Sequence, residues 1–180
     1  MATYNNLQLI KREFFSLRNG IIADTMRRSS APYKIIFGLN LPQLKEIADA
    51  IGEDREMADA LHANVTTRES LMLAPMIFPR SEMTPELAMQ WIADAPTAEV
   101  IDVTCHRLLR HLGFAADLAR SLALSDSDSV RYAAIRLILN LKDFPAGEAA
   151  AIAGRELERH LPLTSGIAAM LLERTDERSF

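Results

Sequence analysis

Asp102, His106 and Arg110 follow one another at one-turn intervals, so a carboxylate, an imidazole and a guanidinium share one side of a helix. Ile101, Cys105, Leu108, Leu109 and Leu112 form a broad apolar face on that helix, and Asp102 stands at its border. A carboxylate so placed can stabilise a developing cation or position a water. The plainer alternative is an ion pair, with His106 one turn on or with a neighbouring helix. Arg131 is the second unusual residue. It falls on the side of Ala134, Ile135 and Ile138, while Ser129, Arg136 and Asn140 make the polar stripe of the same helix. An unpaired guanidinium among apolar groups costs several kcal/mol, so Arg131 is expected to meet a carboxylate: Asp102, Asp126 or Asp128.

Other chemistries find no footing. His106 and His111 point in different directions on a helix, and Cys105 faces away from His106, so no metal site is expected. No phosphate loop, nucleophile elbow or zinc motif is present, and no cofactor is expected. Trp91 fits a core position better than a stacking platform. Arg27, Arg28 and Lys34 have the charge to touch phosphate, although such residues are more often solvated surface.

The elements that must position these residues are helices. Leu7, Ile10, Phe14 and Leu17 keep helical spacing, and Asn19-Gly20 ends that run. Ile21–Arg28 reads as a short helix, and Ser30-Ala31-Pro32 breaks the chain. After the apolar turn Tyr33–Gly38, Asn40 caps a helix through Ile51 with Pro42 in its first turn, and Gly52 closes it. A polar helix spans Glu53–His62. Thr67-Arg68-Glu69 opens a helix apolar on nearly every side and therefore buried, which Pro75 should kink or end. Thr84-Pro85-Glu86 starts the helix carrying Trp91, and Thr97–Leu112 reads as one long helix capped at Thr97. Phe114–Leu122 follows, then Val130–Leu141 behind the cap cluster Ser125–Asp128, then Pro145–His160 and Ser165–Arg174. The tail Thr175–Phe180 is polar and expected to fray. No segment alternates with period two.

Apolar helices recur after Arg68-Glu69, around Asp102, around Ala133 and, more faintly, over Ile167–Leu172, at a spacing of roughly 31 to 35 residues. Each follows a more amphipathic helix. Stacked helical hairpins produce this pattern, so the expected fold is all-α: antiparallel helix pairs forming a curved repeat array, with an irregular bundle as the alternative. The 180 residues fit a single domain over 1–180. One cysteine excludes an internal disulfide and suits a reducing compartment. No run is long and apolar enough for a membrane span, and Met1–Asn6 lacks the pattern of a secretory signal, which makes the cytoplasm the default. Twenty Lys and Arg against 24 Asp and Glu give a net charge of −4. That balance argues against strong nonspecific DNA binding unless the cations collect on one face.

Several segments together resemble a known family. Tyr33, Phe37-Gly38-Leu39-Asn40-Leu41-Pro42 and Leu44-Lys45-Glu46-Ile47 resemble an early helix junction of the bacterial DNA alkylation repair glycosylases built from HEAT-like repeats. Arg68-Glu69-Ser70 with its apolar run resembles their next repeat, Val100-Ile101-Asp102 the segment with their essential aspartate, and Ser127–Ile135 the repeat after it. The resemblance implies duplex DNA in a concave groove and excision of cationic N3- and N7-alkylated purines, with Asp102 as the catalytic aspartate. The family tryptophan one turn before the aspartate falls at Ala98, and the family arginine falls at Tyr132, with Arg131 one residue away. The last repeats, with a second tryptophan, are expected to be curtailed. Excision that is weak or absent is the expectation, because aromatic faces add roughly 0.5–2 kcal/mol each to holding a cation. Arg107, Arg110, Arg131, Tyr132 and Arg136 are the residues expected to meet nucleic acid, and convergence of the arginines with Lys142 on one face would favour DNA. An acidic or apolar face would favour the alternative, a noncatalytic scaffold that binds a protein partner in the same groove.

Overall fold

The computed structural model describes residues 2–29 and 31–177, and among these the chain is all-α, with eleven α-helices and no strand. It separates into two compact units, Met1–Met83 and Thr84–Phe180.

The first unit holds α1 (Ala2–Ser16), α2 (Gly20–Arg28), α3 (Leu41–Ile51), α4 (Arg55–His62) and α5 (Arg68–Ile77). Asn19 follows α1 but acts as the cap of α2, its side chain accepting from the Ile22 amide. Asn40 and Gln43 exchange side-chain and backbone hydrogen bonds in a full capping box at the start of α3. Helix α5 is buried along its whole length except at Met76, and Pro75 stands in its last turn, two residues before its end.

The start of α5 organises this unit. Glu69, with none of its surface exposed, accepts hydrogen bonds from the amides of Phe37 at 3.1 Å, Gly38 at 2.9 Å and Leu39 at 3.4 Å. Arg68 donates through Nη1 both to Glu69 and to the Leu39 carbonyl, each at 3.0 Å. An isolated parallel bridge between Ile35 and Thr67 fastens the same loop. Gly38 sits at φ +80°, and a Cβ there would lie 2.3 Å from the Asn19 carbonyl oxygen, so only glycine fits.

The second unit holds α6 (Pro85–Ala93), α7 (Ala98–Arg107), α8 (Ala115–Leu122), α9 (Asp128–Asn140), α10 (Ala146–Leu157) and α11 (Pro162–Glu177). Helix α8 packs on α9 and α10 on α11, while α7, α9 and α11 pack in series. Side-chain partners join Asp102 to Arg136 and His106 to Asn140, each pair 34 residues apart, so α7 and α9 run parallel. Leu109, Leu118, Leu122, Ile135, Leu137 and Ile138 fill this unit's core, each such side chain contributing about 1.5–3 kcal/mol of apolar burial.

Two expected boundaries move. The single helix over 97–112 is instead α7, a break at Leu108, and a 3-10 turn over Leu109–His111. Leu108 at the break and Leu109 in the turn are both completely buried. Helix α11 extends past Arg174 through Glu177, and Thr175, expected to fray, is buried; residues 178–180 of that tail lie outside the described residues. Ser30 of the expected chain break lies outside them as well.

Candidate functional site

Thr97 caps α7 by accepting from the Val100 amide, and this fixes the helix phase that turns Ile101 and Cys105 inward. Asp102 is then left at the seam between α7 and α9, with its side chain 35% exposed. Its partners come from α9. Arg136 donates from Nε to Oδ1 at 2.6 Å and from Nη2 to Oδ2 at 2.9 Å, a bidentate pair. The Tyr132 hydroxyl donates to Oδ1 at 2.9 Å and accepts from Arg136 Nη2 at 3.2 Å. Carboxylate, phenol and guanidinium thus form a closed triangle.

Electrostatics hold the protons of two members of that triangle, Arg136 and Tyr132. Burial works against the Arg136 charge, but the Tyr132 hydroxyl and the Asp102 carboxylate outweigh it and raise its pKa above the ordinary arginine value. Burial is also the largest influence on Tyr132, whose pKa is raised, so the phenol holds its proton and remains a donor. One turn further along the seam, the Asn140 amide nitrogen donates to the Arg136 carbonyl at 2.8 Å. That bond turns the Asn140 oxygen toward His106, whose Nδ1–H donates to it at 3.1 Å.

Asn140 also lines a cleft of about 570 Å³ at the end of the seam, together with Arg110, Lys142 and the Leu112–Gly113 turn. Among the expected nucleic-acid residues, Tyr132 and Arg136 therefore sit on Asp102 and Arg110 lines the cleft, while the half-buried Arg107 does neither.

Arg131 goes elsewhere. It is 3% exposed, and its Nε donates to Glu156 at 2.9 Å while Nη1 donates to the carbonyls of Ser125 and Asp126. The expected carboxylate partner exists, but it is Glu156 of α10 and not Asp102, Asp126 or Asp128. The helix phase is the reason: one residue separates Arg131 from Tyr132, and that 100° step turns Arg131 into the α9–α10 side of the unit. Glu156 has a sequence signature, since it shares the face of Ala149, Ile152 and Ala153 on α10. The Asp102–Arg136 pair has one too, because its spacing of 34 residues falls within the repeat spacing of the apolar helices. Among the described residues no group of three or more His, Cys, Asp or Glu side chains is placed to hold a metal ion.

The family model described as DNA alkylation repair enzyme matches residues 10–178. The chain belongs to that family. No curated protein and no solved structure matches it. In this DNA alkylation repair family member, the triangle at Asp102 lies inside the matched region, as does the whole of the α7–α9 seam.

Proposed function

We propose that this DNA alkylation repair family protein binds alkylated duplex DNA along the α7–α9 seam, with Asp102 facing the cationic base. The observation that carries the proposal is the partly exposed Asp102 carboxylate held by Tyr132 and Arg136 in the second unit. A positively charged N3- or N7-alkylated purine is drawn to the Asp102 carboxylate, and the raised pKa of Arg136 keeps the neighbouring countercharge permanent. In this reading α7, α9 and α11 are the inner helices of HEAT-like repeats in the second unit, with α8 and α10 as their outer partners.

Excision at this site is slow. Breaking the glycosidic bond sends its electron pair to the cationic base and leaves positive charge at the sugar carbon, where water adds and loses a proton. Asp102 is the group that opposes that charge, but both of its oxygens already accept from Arg136, which offsets much of its field. Ala98 also supplies no aromatic face one turn earlier. Binding therefore outlasts chemistry.

The test is release of 7-methylguanine or 3-methyladenine from alkylated duplex, together with binding of alkylated and unmodified duplex, for the wild type and Asp102→Asn. The expected result is preferential binding of the alkylated duplex by wild type, lost in Asp102→Asn, with base release slow in wild type and absent in the variant. Equal binding of both duplexes by wild type would overturn the proposal.

One observation favours a second reading, a protein scaffold. In the first unit Leu9, Ile10, Leu17, Ile47 and Ile51 line an apolar cleft of about 390 Å³ between α1 and α3, bordered by Glu13 and Glu46. A protein partner seated there is supported if that cleft, and not the seam, is the surface protected in the bound state.

A further inference from the structure

The cleft at the end of the α7–α9 seam gathers two uncommitted cations in one place. Several arginines of this unit are committed: Arg120 to Asp117 and Glu148, Arg131 to Glu156, Arg136 to Asp102, and Arg174 to the carbonyls of Leu139 and Leu141. Arg107 and Arg155 have no carboxylate partner among the described residues, but they stand apart from the cleft. Arg110 and Lys142, which both line the cleft, have no carboxylate partner among the described residues. Arg110 donates only Nε, to His111 Nε2 at 3.2 Å, so its two terminal nitrogens remain available while the imidazole steadies the plane of the fork. Acids outnumber bases in this chain, 24 to 20, so these two cations are not unpaired for want of acids. One acid, Asp143, does line the cleft, and it forms no ion pair with either cation.

The turn that shares this lining adds donors of another kind. Gly113, Ala115 and Ala116 line the cleft, and α8 begins there with no side chain capping it. The start of α8 therefore borders the same space as the cations, and the start of a helix favours oxyanions. A Cβ at Gly113 would meet nothing within 4 Å, so the turn is open toward its surroundings.

We propose that this cleft is a phosphodiester subsite, in which Arg110 and Lys142 hold the backbone of the nucleic-acid strand whose base faces Asp102. The inference rests on the DNA reading of the seam and extends it to a second set of residues. Asn140 joins the two places, since it bonds His106 on the seam and lines the cleft. Arg110 and Lys142 set strand affinity and register. Asp102 reads the lesion.

The experiment measures how binding of alkylated and unmodified duplex depends on salt, for wild type, Arg110→Gln/Lys142→Gln and Arg155→Gln. Arg155 is an exposed cation that does not line the cleft, and all three substituted side chains lie outside the core, so the variants keep the wild-type melting profile. Removing two cations that each neutralise a phosphate lowers the slope of log K against log salt by about 1.8. That reduction is expected in the double variant, with the ratio of alkylated to unmodified affinity unchanged, and Arg155→Gln keeps the wild-type slope. If wild type binds duplex and the double variant keeps its slope, the cleft proposal is overturned while the seam reading stands. If the double variant instead loses only the preference for the alkylated duplex, the division of labour is wrong. Inorganic phosphate serves as competitor: displacement of duplex from wild type but not from the double variant, at low millimolar phosphate and fixed ionic strength, would replace the strand by a free phosphate as the ligand. Failure of wild type to bind duplex at any salt would overturn both proposals.

Discussion

Two carboxylate–guanidinium pairs, one in each unit, are built from the same chemical groups and are used differently. Glu69 and Arg68 are adjacent in sequence at the start of α5, 0% and 4% exposed, and nearly every remaining hydrogen-bonding position of the Glu69 carboxylate is filled by backbone amides of the Phe37–Leu39 loop. Asp102 and Arg136 come from two helices, are 35% and 29% exposed, and share only a phenol. The first pair is enclosed by the loop it fastens. The second has an open side, where a ligand cation or anion can compete for either partner. Burial, more than residue type, separates a fastening from a candidate site. The Arg131–Glu156 pair supports this, since at 4% and 5% exposure it too is spent on holding helices, with Thr164 donating to Glu156 at 2.7 Å.

The largest expected effect follows from breaking the enclosed pair. Glu69→Ala leaves Arg68 buried without its carboxylate and strands the loop amides, and should cost about 3–5 kcal/mol in a denaturant titration. A loss below about 1 kcal/mol would erase the contrast. Asp102→Asn should cost no more than about 1 kcal/mol of stability, because a pair one-third exposed is screened by solvent and the Asn oxygen can still accept from Tyr132. Its effect belongs in the preference for alkylated duplex. A destabilisation equal to that of Glu69→Ala would make Asp102 a fastening and remove it from the site.

The smallest effect concerns Cys105, which lies on α7 beside Asp102 in sequence yet is wholly buried. Burial raises its thiol pKa well above the ordinary 9.0, and the Asp102 charge adds to this. The folded state therefore holds this proton more tightly than the unfolded chain does. The stabilisation is fully present below pH 9 and is lost as pH climbs toward the raised value. Between pH 7 and 9 a thiol reagent should leave the native protein unlabelled and label it fully on unfolding. Rapid native labelling would mean that the α7–α9 contact opens, and with it the seam.

Much of the architecture was legible in the chain. Caps at Asn40, Thr84 and Thr97, the glycine after α3 and the apolar run of α5 are local signals, and each corresponds to an element within a residue or two. The break after Arg107 was not legible, because Leu108, Leu109 and Leu112 continue the apolar face of α7 and no Gly or Pro marks a stop before Gly113. Asp102 was visible as an acid at the margin of an apolar face, and the family to which the chain belongs was visible in short motifs. The partner of that acid was not.

The sequence by itself determined where most of the helices lie, which faces are apolar, and that Asp102 and Arg131 stand where a charge needs company. Only the tertiary structure decided the company. A helix wheel gives the direction of a side chain relative to its own axis, and says nothing of the neighbour that direction meets. The parallel packing of α7 and α9 brings positions 34 residues apart into register, and so gives Asp102 to Arg136 and Tyr132. The 100° turn from Tyr132 back to Arg131 sends the other guanidinium inward to Glu156.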